Sequence, residues 1–335
     1  MILTPKFKLM SAVVQFTVFL LKTGEDLLVG GQAVFEGVMM RLPNSYSVAV
    51  RKPDGSIAVK KDRLGTLADK HKIWGLPVIR GAATLGQAFV LGMRALKFST
   101  DQALAGKRAE NTEFKGKSLE EGCKMGPWAM VLNVIVALGF FILLFKYLPL
   151  LVASQLAALY PAANHQIIFS LVDGIIRLLL FLLYISAISL VGDIRRVFEY
   201  HGAEHKVVFT YEAREPLSVE NARKQPRLHP RCGTSFLLVV MILSVIVYAF
   251  IPFSSFSLKL ISRIFLIPFL AGLSYEIIRF AARGRFKLLL WMTKPGLWLQ
   301  LITTREPQDE QLEIAIRALD ETLLLEGVER RLAVT

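Results

Sequence analysis

Cysteine is nearly absent from this chain of 335 residues, which holds only Cys123 and Cys232. Two cysteines cannot build the disulfide framework of a small secreted protein, so a reduced environment facing the cytoplasm is expected. A cleavable signal peptide is also missing, because the apolar stretch over 9–21 is short and no small-residue cleavage site follows it. Residues 1–28 are instead predicted to form an amphipathic segment at the membrane surface.

The positive charge of the chain is dispersed rather than gathered in one polar domain. The sequence is 53% hydrophobic with a net charge of +13, and its mean hydropathy is +0.47. A nucleic-acid-binding protein would concentrate basic residues on a polar domain with interleaved aromatics, so no nucleic acid is expected as a partner. Basic residues between apolar runs are typical of a membrane protein, and the lipid bilayer is therefore the predicted partner.

Four apolar segments predict membrane-spanning helices, because each approaches the roughly 20 residues that a helix needs to cross hydrocarbon. They cover about 127–148, 167–191, 235–251 and 260–282. The linker over 149–166 contains no lysine or arginine, whereas the one over 195–231 contains eight. The positive-inside rule then predicts a multi-pass protein of the plasma membrane with both termini in the cytoplasm. Lys259 and Arg263 break this charge pattern.

Shorter elements are predicted on either side of the spans. Two alternating runs, 47–51 and 56–60, flank Pro53-Asp54-Gly55 and predict a β-hairpin just after a glycine-rich segment over 30–41. The segment over 76–98 is helical in pattern but too interrupted by charge to span, so it is expected at the interface or packed on the bundle. Near the C-terminus, apolar residues recur at helical spacing and predict an amphipathic helix: Leu312, Ile316, Leu319 and Leu323.

The predicted fold class is therefore mainly α. It is a polytopic membrane helix bundle of about four spans, with a small N-terminal glycine-rich and β-hairpin element and a C-terminal amphipathic helix. The predicted regions, in chain order, are an N-terminal segment 1–28, a cytoplasmic region 29–126, the bundle 127–282 with a histidine-rich cytoplasmic loop 193–234, and a cytoplasmic tail 283–335.

The strongest chemical signal is the histidine-rich segment Glu199-Tyr-His-Gly-Ala-Glu-His205. On a helix, His201 and His205 lie one turn apart on one face, with Glu204 beside them. The order His-x-x-Glu-His is the inverted-zincin pattern, in which the histidines bind metal and the glutamate is the general base. His229 and Cys232 follow within 30 residues and offer two further ligands. Zinc is favoured because imidazole and thiolate together suit it, although manganese, iron or nickel would also accept imidazole and carboxylate.

The ligand set has two interpretations. In the first, His201, His205 and Glu276 bind the metal and Glu204 acts as base. In the second, His229 or Cys232 completes the set and Glu204 itself can be a ligand. Glu276 enters because an ionisable residue inside a predicted span suggests function, although a salt bridge on its own helix would equally explain it.

Asp193 is a further candidate, since it precedes His201 by eight residues and would share its helix face. It could orient an imidazole by accepting its second N–H, or serve simply as a charge at the helix end. Asp173 and Arg177, one turn apart, are predicted to form an internal ion pair.

Three classes of function are compatible with this pattern. The first is a metal-dependent hydrolase at the cytoplasmic membrane face, with Glu204 deprotonating a metal-bound water and a lipid or membrane protein as substrate. The second is a scaffold or regulatory protein with a closed, structural metal site. The third is a transporter that uses Glu276, Asp173 and the histidines, for which discontinuous helices or an inverted repeat would be expected.

Five motifs in one order resemble a known family. They are Gly30-Gly-Gln-Ala-Val-Phe-Glu-Gly-Val-Met-Met-Arg41, Val50-Arg-Lys-Pro-Asp-Gly55, Tyr200-His-Gly-Ala-Glu-His-Lys206, His229-Pro-Arg-Cys-Gly-Thr-Ser235 and Pro295-Gly-Leu-Trp-Leu-Gln300. Together they resemble the YqhQ-like (DUF1385) bacterial integral membrane proteins, over nearly the whole chain after about residue 25. The resemblance implies a membrane protein of a family labelled as a predicted metal-dependent enzyme of unknown activity.

Overall fold

A computed structural model of the chain describes residues 29–65, 76–113, 127–230, 232–251, 255–282 and 287–327. The strands are β1 (Gly30–Val34), β2 (Gly37–Arg41), β3 (Ser45–Arg51) and β4 (Ile57–Arg63). The helices are α1 (Ile79–Glu113), α2 (Pro127–Ile142), α3 (Leu148–Leu159), α4 (Gln166–Ile188), α5 (Gly192–Glu212), α6 (Val219–Lys224), α7 (Gly233–Ala249), α8 (Phe256–Phe265), α9 (Ile267–Ala282), α10 (Lys287–Thr303) and α11 (Asp309–Glu326). The amphipathic segment predicted over 1–28 lies outside the described residues.

The four strands form an antiparallel meander in the order β1-β2-β3-β4. The predicted β-hairpin is confirmed, since β3 and β4 pair with Arg51 opposite Ile57. Gly55 turns the chain with a φ of 84°, a left-handed conformation that glycine adopts without steric cost. The glycine-rich segment before the hairpin supplies β1 and β2, so the hairpin is half of a larger sheet.

Helices from distant parts of the chain cover both faces of the sheet. On one face Val38 packs with Leu312 and Leu319 of α11 and with α5. On the other face Val48 packs against Leu91 of α1. The predicted amphipathic helix is thus present as α11, and its apolar stripe is buried on the sheet: Leu312, Ile316, Leu319 and Leu323. The charged tail expected from the sequence therefore provides much of the core.

Two helical stretches are long and apolar enough to cross a membrane, Val131–Leu159 and Gln166–Ile188. The first is longer than predicted, because residues 149–159, expected in a loop, continue the helix as α3. A π-turn precedes this continuation, and the N–H of Leu148 bonds to the carbonyl of Leu143. The wider turn accommodates Pro149, whose ring would clash with the preceding turn of a regular α-helix.

The third and fourth predicted spans differ from expectation. Helix α7 has 17 residues, and at 1.5 Å per residue it covers about 26 Å, less than the ~30 Å hydrocarbon layer. The segment predicted as a single span over 260–282 is divided at Leu266 into α8 and α9, which are bent by 49°. If this bent pair counts as one span, the described chain offers three. Four spans remain a prediction.

Helix α1 connects the sheet to the bundle. Its first turn meets α9 so closely that a methyl group on Gly272 would strike the backbone of Val78. Arg80 on α1 also donates from Nε to Oε1 of Glu276 on α9 at 2.7 Å. The helix predicted over 76–98 is therefore packed on the bundle, one of its two expected locations.

The predicted histidine-rich loop over 193–234 is mostly helical. It contains α5 and the short α6, and α5 packs against β1 and α11. Tyr200, Ala203 and Val207 on α5 are buried in the core shared with the sheet. The predicted site residues lie on the adjoining side of α5, with Glu204 against Gly31 of β1, so the sheet holds this helix in place.

Candidate metal centre

Two imidazoles of α5 are oriented by backbone carbonyls. Nδ1 of His201 lies 2.8 Å from the carbonyl oxygen of Thr303, and Nδ1 of His205 lies 2.6 Å from that of Arg227. A carbonyl oxygen can only accept, so each Nδ1 carries the proton and donates it. In the neutral ring the lone pair is then on Nε2, the usual arrangement for a metal-binding histidine held from behind by a carbonyl.

Cys232 comes to the same place from a different element. It is the N-cap of α7, where its Sγ accepts from the backbone N–H of Thr234 at 3.5 Å and from the Thr234 hydroxyl at 3.3 Å. Sγ also lies 3.2 Å from Nε2 of His201. The thiol of Cys232 and the imidazole of His201 are therefore in direct contact.

Three ligand atoms converge, one each from His201, His205 and Cys232, all within 4.8 Å of one another. The imidazole of His205 is 2% exposed, and its Nε2 makes no hydrogen bond of good geometry to the described residues. A buried polar nitrogen without such a bond is costly unless something else satisfies it. The rings of His201 and His205 lie 4.4 Å apart between centroids. Neutral imidazoles and a thiolate suit a divalent metal, and zinc in particular.

Glu204 lies beside this group and is buried in the angle between α5 and β1. Its Oε2 is 3.6 Å from Nε2 of His205. A methyl group on Gly31 of β1 would come within 2.5 Å of Cγ and 2.7 Å of Oε1 of Glu204. The glycine of β1 thus makes room for the carboxylate, because it carries no side chain of its own.

Burial dominates the electrostatics of these side chains. It lowers the pKa of His205 to about 4, an effect reinforced by the nearby His201 ring. Burial also lowers the pKa of His229 to about 4 and raises the pKa of the Glu204 carboxyl. In each case the charged form loses more solvation than its neighbours restore. Both histidines are therefore neutral near pH 7, as metal ligation requires.

His229 stands next to the group but outside its innermost set. Its ring is 5.6 Å from that of His205 between centroids, and its Nε2 lies 3.4 Å from Oε1 of Glu212. Gln300 of α10 fixes the backbone, accepting from the N–H of His229 and donating to its carbonyl, both at 2.8 Å. His229 therefore lines the site, and its segment is fastened to α10.

The structure does not bring the other two predicted residues to the group. The carboxylate of Glu276 is paired with the guanidinium of Arg80 on α1. The salt bridge considered from the sequence is present, but its partner is on another helix. Asp193 is exposed in the first turn of α5, where a carboxylate interacts favourably with the helix dipole. Backbone carbonyls, rather than Asp193, accept the Nδ1–H bonds of both histidines.

Several positioning groups were missed by sequence reasoning. The carbonyls of Thr303 and Arg227 carry no side-chain signal, because any residue could supply them. Gly202, inside the histidine motif, lies in close contact with the carbonyl of Arg305, so a larger residue would displace the segment that orients His201. Gln300 could have been recognised in the sequence, because it is the polar residue that ends the otherwise apolar motif Pro295-Gly-Leu-Trp-Leu-Gln300.

These features define a mainly helical, apolar chain with a partly buried histidine and cysteine cluster beside a small sheet. The chain belongs to the family described as "Protein of unknown function (DUF1385)", which matches residues 76–324. It is 37% identical over 308 residues to "Uncharacterized protein YqhQ" of Bacillus subtilis (strain 168), covering 89% of this chain and 93% of that protein. No solved structure matches. The resemblance noted from the motifs is therefore confirmed at the level of the family.

Proposed function

We propose that this protein is a membrane-embedded, metal-dependent hydrolase that binds one divalent cation, preferably zinc, through His201, His205 and Cys232. The observation that carries this proposal is the pair of Nδ1–H bonds to backbone carbonyls, which leaves the Nε2 lone pair of each ring for a metal, in a group whose ligand atoms lie within 4.8 Å of one another. Zinc bonds to nitrogen and sulfur are about 2.0–2.3 Å long, so ligand atoms this close together can share one ion.

Three protein ligands leave one position of a tetrahedral ion for water or substrate, as in catalytic zinc sites. Bound there, the ion would supply an activated water. Glu204 is the group placed to hold that water's proton, because its carboxylate lies 3.6 Å from Nε2 of His205. Gly31 keeps the carboxylate in place, and Glu204 is itself buried.

The substrate would itself reside in or at the membrane. This follows from the position of the group, which lies between the end of α4, a candidate span, and the start of the apolar helix α7. A lipid or a membrane protein could reach such a site laterally. We place the site on the cytoplasmic side of a multi-pass protein because of the charge of the flanking linkers.

Metal analysis of the purified protein tests the proposal. Wild type is expected to carry about one zinc per chain, and His201→Ala, His205→Ala and Cys232→Ser to lose most of it. Glu204→Gln should keep the metal but fail to complement a deletion strain. Asp193→Asn, on the same helix but exposed, is the matched control and should behave as wild type. Wild type without metal, after purification without chelators, would overturn the proposal.

A structural metal site is the second candidate, and the burial of Glu204 favours it. Its carboxylate could complete a closed four-ligand set of two histidines, one cysteine and one glutamate. In that case Glu204→Gln would lower metal affinity together with thermal stability. Metal content and complementation, measured on the same variant, therefore separate the two functions.

Transport is less well supported by the contacts. The bent pair α8–α9 is a discontinuous helix of the kind that transport predicts. However, Asp173 is paired with two arginines and Glu276 with Arg80. Neither carboxylate is placed as a free ion-binding group.

A further inference from the structure

A second polar cluster lies inside the helix bundle, on elements that carry no part of the candidate metal centre. It joins Asp173 and Arg177 of α4, Arg263 of α8 and Lys146 of the π-turn before α3, all at most 6% exposed. Arg263 donates to Oδ1 of Asp173 at 2.5 Å, and Arg177 pairs with Oδ2. The predicted Asp173–Arg177 pair is therefore confirmed, with a second arginine added to it.

The cluster has more positive than negative charge. One carboxylate faces two arginines, which take both its oxygens and leave one positive charge in excess. Lys146 contacts the hydroxyl of Tyr248 at 3.3 Å. The Tyr248 ring faces all three side chains, with Arg263 at 4.9 Å, Arg177 at 5.3 Å and Lys146 at 5.7 Å from its centroid. Cation–π contacts attract these charges but do not neutralise them, so the buried surplus favours a nearby anion.

A pocket opens next to this surplus. The pocket is open and shallow, with an enclosed volume of about 10 Å³, so a ligand would sit in its mouth, and its lining includes Gln166, Tyr248, Lys259, Ser262 and Arg263. Lys259 and Arg263 are one turn apart on α8, with Lys259 half-buried and its Nζ 3.9 Å from the centre of the Phe169 ring. None of the described lining residues is acidic. The pocket therefore presents two cations and no compensating carboxylate of its own.

The position of the pocket indicates where an anion would come from. Gln166 is the first residue of α4, and its Nε2 donates to the carbonyls of Tyr248 and Ile251 at the end of α7. The pocket thus lies at the end of a candidate span, and if α4 crosses the bilayer this end is where lipid headgroups would meet it. It is at the opposite end of α4 and α7 from Cys232. Lys259 and Arg263, the two exceptions to the charge pattern, both belong to it.

We propose that this pocket binds a phosphate group, with Lys259 at the mouth and Arg263 at the inner wall, and that the group is the headgroup phosphate of an anionic phospholipid. The charge of Lys259 attracts the phosphate, and the buried surplus behind Arg263 retains it. Free inorganic phosphate shares this chemistry and is distinguished by experiment. The site is independent of the proposed metal function.

Thermal unfolding of the purified full-length protein in detergent tests the proposal with three probes: phosphatidylglycerol, diacylglycerol and inorganic phosphate at constant ionic strength. Phosphatidylglycerol should raise the unfolding temperature, and diacylglycerol, which lacks the phosphate, should not. Lys259→Gln should raise the phosphatidylglycerol concentration for half the effect by about tenfold, because one charge-assisted contact is lost. Lys259→Arg should return this phosphatidylglycerol concentration to the wild-type value. A stabilisation by inorganic phosphate that matches that by lipid would support the phosphate site and assign it to the free ion.

Arg279→Gln is the matched control, since Arg279 is exposed on α9 of the same bent pair but outside the pocket. It should respond to phosphatidylglycerol like wild type. Equal responses from wild type and Lys259→Gln would overturn the proposal, because the lipid would then act on the protein surface in general. Native mass spectrometry gives a second readout, with fewer retained phosphatidylglycerol molecules expected on Lys259→Gln than on Arg279→Gln.

Discussion

Gly31 of β1 lies directly against Glu204 of α5, so a methyl group added to the glycine would come within 2.5 Å of the Glu204 Cγ atom. Gly31→Ala should therefore push the carboxylate away from His205 and cost about 1–3 kcal/mol of stability through overpacking. We expect this variant to keep its metal and to lose complementation in the cell, the same result that is expected for Glu204→Gln.

Gly30→Ala is the control for this change, because nothing lies within 4 Å of the added methyl group. It should be indistinguishable from wild type in stability, metal content and complementation. Full complementation by Gly31→Ala would show that the position of the Glu204 carboxylate does not matter.

Gly202 lets the segment that contains Thr303 and Arg305 pack close to α5, where the Thr303 carbonyl orients His201. Gly202→Ala would force the carbonyl of Arg305 outward and move the neighbouring Thr303 carbonyl, which accepts from Nδ1 of His201. Loss of such a supporting bond typically costs 10- to 100-fold in metal affinity. A competition titration with a chromophoric zinc chelator measures this change. Gly192→Ala, in open space at the start of the same helix, should leave the affinity unchanged, and equal affinities for both variants would refute the orienting role.

Glu276 separates the two ligand sets considered from the sequence. Because its carboxylate is bound to Arg80, Glu276→Gln should retain the full metal content, while Cys232→Ser should lose it. Elemental analysis of the two purified variants decides the point. Loss of metal from Glu276→Gln alone would restore the set of His201, His205 and Glu276.

The orientation of the bundle can be tested at two exposed positions. Ser255, between α7 and α8, and Glu215, between α5 and α6, should lie on opposite sides of the membrane. In a chain freed of its native cysteines, Ser255→Cys should react with an impermeant maleimide on intact cells. Glu215→Cys should react only after the membrane is opened. The reverse pattern would place the histidine site outside the cell.

Asp173 is the only carboxylate in the buried cluster described above. Asp173→Asn would leave Arg177 and Arg263 without their charged partner, and breaking a buried pair in this way costs about 3–5 kcal/mol. Thermal unfolding in detergent should show a large decrease in midpoint. Ser170→Ala, one turn away and equally buried, removes a hydroxyl without a hydrogen-bond partner and should have little effect. Similar midpoints for the two variants would show that the pairing contributes little.

Local patterns in the sequence were reliable where neighbouring residues determine the outcome. The turn at Pro53-Asp54-Gly55 and the apolar spacing of α11 each predicted an element that is present. The one-turn spacing of His201 and His205 also predicted their common face. These features depend on backbone preference and helical period, which are properties of short segments.

Long-range partners were not visible in the same way. Glu276 pairs with Arg80 across 196 residues, and Arg263 reaches Asp173 across 90. The continuation of the first span into α3 was not predicted either. In the sequence Pro149 indicates the end of a helix, and the π-turn that accommodates it cannot be recognised there. The sequence left open which residues complete the candidate ligand set. The structure adds that Cys232, 31 residues from His201, lies at the N-terminus of α7 in contact with that histidine.

The docking of α11 on a sheet made from residues 30–63 has a consequence for the order of events during synthesis. The sheet leaves the ribosome first, but the helix that covers one of its faces begins at Asp309. At about 5–20 residues per second, the apolar face of the sheet stays uncovered for on the order of 10–50 s, until α11 has been synthesised. Until then α5 lacks part of the core that supports it. The proposed metal centre would therefore form only after α11 has been synthesised, and a chain truncated before Asp309 should insert into membrane but remain unable to load metal.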